Sequence, residues 1–163
     1  MRALAEKIGA RLKARRAVLV TAESCTGGWA AQELTAIAGS SAWFERGFVT
    51  YSNEAKQELL GVRAETIKRY GAVSEETARE MAVGALERSP GTMALAITGI
   101  AGPSGGSKEK PVGTVCFAWA AKGRTAIAQT RHFNGDREAV RRQSVEHAFQ
   151  RVLELLDEPG ARP

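Results

Sequence analysis

Four stretches of the chain hold residue types that can do chemistry together, and the first centres on a serine. Thr21-Ala22-Glu23-Ser24-Cys25-Thr26-Gly27-Gly28 sets hydroxyls, a thiol and glycines where a short apolar run gives way to a helical pattern. A turn that feeds a strand into a helix leaves free backbone N–H groups at the positive end of the helix dipole, a place for a phosphate or an oxyanion. Ser24 can act there as a nucleophile, as at the strand-to-helix elbow of α/β-hydrolases. Ser24 or Thr26 can equally do no more than cap the helix. The elbow pattern is incomplete, because Ala22 stands where that motif has glycine and no convincing Asp–His pair follows. Cys25 is a rival nucleophile or a small buried side chain.

The second stretch is Tyr51-Ser52-Asn53 with Lys56. Asn53 is placed to cap a helix whose first turn contains Lys56. A lysine at that end opposes the dipole, so the field and any burial both depress its pKa. A neutral lysine can then serve as general base for a serine, with Tyr51 relaying a proton or orienting the nucleophile. The alternative is an exposed lysine and a strand-end tyrosine that hydrogen-bonds locally.

The third stretch, Thr98-Gly99-Ile100-Ala101-Gly102-Pro103-Ser104-Gly105-Gly106-Ser107, follows an apolar run. Its glycines let the backbone approach a ligand and aim N–H groups at anions. It fits neither GxGxxG nor GxxxxGK[ST], which counts against dinucleotide-fold and NTPase chemistry. The fourth stretch holds Arg137, Arg141 and Arg142 at the start of the last helical pattern. Arg137 and Arg141 repel each other at i, i+4 and both oppose the dipole, so a bound phosphate would relieve them. Arg142 has Glu138 as an internal partner.

The elements that must position these residues follow from periodicity and turn signals. Helical patterns cover 2–14, with Leu4, Ile8 and Leu12 on one stripe, then 26–37, 53 to before Gly61, 64–70, a helix capped by Ser74 running to about 88, and a last helix from Asn134-Gly135-Asp136 to about 157 whose apolar face includes Val145, Ala148, Val152 and Leu155. Strand patterns cover 17–21, 43–50, 92–98, 112–121 and 124–133, the last two joined by a Lys122-Gly123 hairpin signal. This order predicts one α/β domain over 1–163, a three-layer α/β/α sandwich with a mixed β-sheet, and a frayed tail over 158–163. A chain of 163 residues with 44% apolar content has enough core for that.

The net charge of +5 points to an anionic partner: nucleic acid, a membrane surface or a phosphorylated small molecule. The basic residues are scattered among acids, and the ten aromatics do not interleave with them as a stacking platform would. Neither a signal-peptide core at the N-terminus nor a run near the ~20 apolar residues of a membrane span is present. Two widely separated cysteines, Cys25 and Cys116, fit free thiols in a reducing cytoplasm. His132 and His147, the two histidines, lack metal-ligand spacing, so no metal is expected.

Taken together, TAESCTGGWAAQELTAIAGSSAWFERGFVTYSNEAK (21–56), GAVSEETAREMA (71–82), TGIAGPSGGSKEKPVGTV (98–115) and FNGDREAVRRQ (133–143) resemble the CinA C-terminal domain family of nicotinamide-nucleotide amidohydrolases, in its stand-alone form. The resemblance spans nearly the whole chain. It implies conversion of nicotinamide mononucleotide to nicotinic acid mononucleotide and ammonia, without a cofactor, by a homo-oligomer. It implies catalysis by Ser24, Tyr51 and Lys56, with Lys56 taking the serine proton directly or through Tyr51. Backbone N–H groups near Thr26 and Gly27 would hold the oxyanion, Thr98, Gly99 and Gly102 would line the pocket, and Arg141, with Arg137, would meet the phosphate. Two other functions compete with this one: a non-catalytic nucleotide-binding module linked to competence or DNA damage, and a nucleic-acid-binding protein.

Overall fold

The computed structural model describes residues 1–158, so the tail expected to fray lies, from 159 onward, outside them. In chain order the elements are α1 (Arg2–Arg15), β1 (Leu19–Glu23), α2 (Trp29–Thr35), β2 (Phe44–Val49), α3 (Asn53–Leu60), α4 (Ala64–Tyr70), α5 (Glu75–Glu87), β3 (Met93–Gly99), β4 (Thr114–Ala121), β5 (Ile127–His132) and α6 (Arg137–Asp157). The strands form one sheet in the order β2-β1-β3-β4-β5. β1 runs parallel to both β2 and β3, while β4 runs antiparallel to both β3 and β5, so the sheet is mixed.

Alternation along the central strands decides how each face is covered. Met93, Leu95 and Ile97 of β3 and Val115, Phe117 and Trp119 of β4 turn their large side chains to a core shared with α1, α2 and α6. Ala94, Ala96, Cys116, Ala118 and Ala120 face the other way, onto the Ala78, Met81, Ala82 and Ala85 stripe of α5. Small residues on both sides of that interface bring α5 close to the sheet. α3 and α4 pack on α5 in turn. Gly84 permits the α3–α5 approach, since a Cβ there would run into the Leu60 carbonyl. The result is the expected sandwich, with the sheet between two helical layers.

Several boundaries differ from the sequence expectation. α2 begins at Trp29 rather than at Thr26, because Gly27 and Gly28 take positive φ values of 61° and 98° that no helix can contain. α3 is capped by Ser52, whose hydroxyl accepts the Ala55 N–H at 3.0 Å, and not by Asn53, which is its first helical residue. In α6, Arg142 pairs with Glu146 at 3.7 Å in place of Glu138, and Leu156 joins the core while Leu155 is only partly buried. Glu158 is held by Arg124 at 3.4 Å and Arg151 at 3.7 Å.

Candidate active site

Parallel pairing of β1 with both neighbours brings the carboxyl ends of β1, β2 and β3 to one edge of the sheet. Ligands in α/β proteins gather at such an edge. Ser24 follows β1, Thr50 and Tyr51 follow β2, and Thr98 and Gly99 close β3. The edge is tied together by backbone bonds from Ser24 N–H to the Ile97 carbonyl at 2.9 Å and from Thr50 N–H to the Glu23 carbonyl at 2.8 Å.

Lys56 reaches back from α3 into this edge. It is only 1% exposed. Its Nζ lies 3.0 Å from Ser24 Oγ, 3.0 Å from the Thr50 carbonyl and 3.3 Å from the Tyr51 carbonyl. Burial lowers its pKa below the ordinary lysine value, opposed by the nearby Cys25 sulfur. A neutral amine has two N–H groups and one lone pair. With both N–H groups on the two carbonyls, a neutral amine would face the Ser24 hydroxyl with its lone pair, and an ammonium would find acceptors in all three neighbours.

Tyr51 contributes its carbonyl to Lys56, but its phenol points elsewhere. Its side chain is exposed, and its hydroxyl accepts from Arg137 Nη2 at 3.1 Å. A relay from Ser24 through the Tyr51 phenol to Lys56 does not match this geometry, since the amine already touches the serine directly. Cys25 is buried, and desolvation pushes its thiol up to about 12, so it stands beside Ser24 as an unionised S–H. A thiol held in that form is a poor nucleophile.

Ser24, Tyr51, Lys56, Thr98, Gly99 and Arg137 line one cavity of about 190 Å³. Cys25, Asn53, Ala72, Val73 and Ala101 complete its wall. Thr98 has its hydroxyl on the Ala72 carbonyl at 2.8 Å, which joins the end of β3 to the loop before α5. Gly99 packs against Val115, where a Cβ would come within 2.8 Å of the valine side chain. Arg137 spans from the Gly102 carbonyl, 2.8 Å from its Nη1, to the Tyr51 hydroxyl.

Thr26, Gly27, Gly102 and Arg141 are not in the cavity wall. Thr26 is fully buried, and its hydroxyl donates to Glu23 at 2.7 Å. The Gly27 N–H donates to the Ser24 carbonyl at 3.0 Å, so it is not available to an oxyanion. Arg141 donates from Nε to the Cys25 carbonyl and from Nη2 to the Thr26 carbonyl, both at 3.0 Å, and its guanidinium lies over the Trp29 ring. It braces the serine turn from α6, and both of these donors are engaged within the protein.

Glu23 is the residue that sequence reasoning passed over. It is completely buried, and its carboxylate accepts from the N–H groups of Ala30 and Ala31 at 2.9 and 3.0 Å as well as from Thr26. The start of α2, expected to cradle a ligand anion, is thus filled by the protein's own carboxylate. The available signal was an acid ending a buried apolar strand, just ahead of a helix with no acidic cap of its own. Glu23→Ala should leave two N–H groups and a hydroxyl buried without partners, and lower stability by about 3 kcal/mol. A denaturant midpoint matching wild type would contradict this role.

Two further features bear on ligands. Among the described residues no group of His, Cys, Asp and Glu is arranged to hold a metal ion. Among the same residues, no helix is long and apolar enough to cross a membrane, and both cysteines are free.

Fold and cavity together define a three-layer α/β protein in which a serine and a buried lysine meet in one cavity at the sheet's carboxyl edge. The model of the CinA C-terminal domain matches residues 1–156, and the chain belongs to that family. It is 59% identical over 147 residues to the nicotinamide-nucleotide amidohydrolase PncC of Escherichia coli K12, covering 90% of this chain and 89% of that one. The PncC of Enterobacter agglomerans is 54% identical over 150 residues, 92% of each chain. Among solved structures, the competence/damage inducible protein CihA of Agrobacterium tumefaciens superposes with a TM-score of 0.92 at 46% identity, covering 96% of this chain and 95% of that one.

Proposed function

We propose that this protein hydrolyses the carboxamide of nicotinamide mononucleotide, giving nicotinic acid mononucleotide and ammonia through an acyl-enzyme on Ser24. The observation that carries the chemistry is the 3.0 Å contact between Ser24 Oγ and a buried Lys56 amine. The substrate class rests on the likeness to the PncC amidohydrolases.

In the proposed course Ser24 Oγ attacks the carboxamide carbon as Lys56 accepts the hydroxyl proton. The backbone N–H groups of Cys25 and Thr26, which bond no other described residue, are the donors left at the turn for the oxyanion. Collapse of the tetrahedral adduct breaks the C–N bond, and the Lys56 ammonium gives its proton to the departing nitrogen, which leaves as ammonia. A water then attacks the ester, Lys56 takes its proton and returns it to Ser24 Oγ, and the carboxylate product is released. A neutral lysine also suits a pyridinium substrate, because a charged one would repel the ring.

Arg137 is the phosphate group's partner in this account. A charge-assisted bond to phosphate outcompetes the neutral Tyr51 hydroxyl and Gly102 carbonyl that Arg137 now holds. Arg137→Ala should raise the KM for the mononucleotide about tenfold and leave the phosphate-free riboside nearly unaffected. Equal effects on both substrates would contradict the assignment. The function as a whole is tested by ammonia release across a panel of nicotinamide compounds. Binding of the mononucleotide without ammonia release would instead identify a nucleotide-binding module.

A further inference from the structure

Asn53 stands in the cavity wall with a carboxamide that the fold does not use. Ser52 caps α3 in its place, and the Asn53 backbone carbonyl, rather than its side chain, accepts from Gln57 Nε2 at 3.2 Å. No hydrogen bond joins the Asn53 side chain to any described residue. Asn53 and Lys56 are i and i+3 on α3, so they share a face, and both line the cavity that contains Ser24.

We infer that Asn53 reads the N–H of the scissile carboxamide, accepting it at Oδ1, and so selects amide over ester and over the carboxylate product. This rests on the Ser24–Lys56 reading. The departing nitrogen must sit where Lys56 can protonate it, and a group one helical turn from Lys56 is placed to hold that nitrogen. A neutral amide supplies the acceptor without a charge. An aspartate there would pair with the Lys56 ammonium and keep it protonated, removing the base. The product carboxylate has no N–H to offer Oδ1, so that bond is lost once the amide is cleaved.

The test compares nicotinamide mononucleotide with the methyl ester of nicotinic acid mononucleotide, using wild type, Asn53→Ala, Asn53→Asp and Ser24→Ala. Asn53 is exposed on the first turn of its helix, and thermal unfolding of each variant checks that the fold is kept. The expected result is a loss of about tenfold in kcat/KM on the amide for Asn53→Ala, with the ester within about twofold of wild type. Asn53→Asp should also move the rising limb of the pH profile to higher pH on both substrates. An equal loss on amide and ester, or no loss on either, overturns the role of Asn53 while a dead Ser24→Ala leaves the Ser24–Lys56 reading standing. An active Ser24→Ala takes down that reading, and this inference with it.

Discussion

Ser24→Ala should reduce turnover by a factor of about 10³ or more, with the fold and nucleotide binding retained. The reason is local. The Ser24 hydroxyl is held by Lys56, while the turn around it is fixed by other groups: the Ser24 N–H on Ile97, Glu23 on the start of α2, and Arg141 on the Cys25 and Thr26 carbonyls. Removing one oxygen therefore deletes the nucleophile without releasing the turn. Cys25 cannot replace it, because its thiol stays protonated at working pH. Ammonia release by the variant near the wild-type rate would remove Ser24 from the reaction. Calorimetric titration with the mononucleotide checks that binding remains.

Lys56→Met should cost about 10²–10⁴-fold in kcat/KM. Lys56→Arg should not rescue it, since a guanidinium stays protonated and cannot accept the serine proton. The sign of the pH dependence follows from burial. Lys56 must be neutral to act as base, so kcat/KM of the wild type should rise with pH through the pKa of Lys56. Desolvation holds that pKa below the ordinary value of 10.5, which brings the limb down toward working pH. The same shift links to stability. Between the lowered folded pKa and the unfolded one, the unfolded chain binds more protons, so stability rises with pH across that window. Lys56→Met should abolish this slope. A variant that keeps both the kinetic limb and the stability slope would show that another group titrates.

Much of the scaffold was legible because it is written in local signals. Runs of alternating large and small apolar residues around Ala96 and Ala118 mark strands buried on both faces, and Gly61 and Gly71 end their helices where a positive φ is needed. The reading of Lys56 also began locally, from a cation in the first turn of a helix. Its contact with Ser24, 32 positions away, depends on the parallel pairing of β1 and β2, which no local pattern encodes.

The misread features share a cause. Glu23 at a strand end looks solvent-facing until α2 is laid over it. Ser52 and Asn53 are both good caps, and adjacency alone does not choose between them. The directions of the Tyr51 phenol and of Arg137 and Arg141 depend on how α6 crosses the sheet edge. Arg137 reaches the cavity, whereas Arg141, one turn further along, lies against the serine turn.

In the proposed mechanism a covalent bond joins Ser24 to the nicotinoyl group. Rapid acid quenching during turnover, followed by peptide mass mapping, measures it directly. The expected result is a nicotinoyl nucleotide adduct on the peptide containing Ser24, formed from the amide and the ester alike and absent in Ser24→Ala. Full turnover with no adduct at any time from either substrate, and hydroxylamine failing to divert product to the hydroxamate, would mean that water attacks directly and that Ser24 is not acylated.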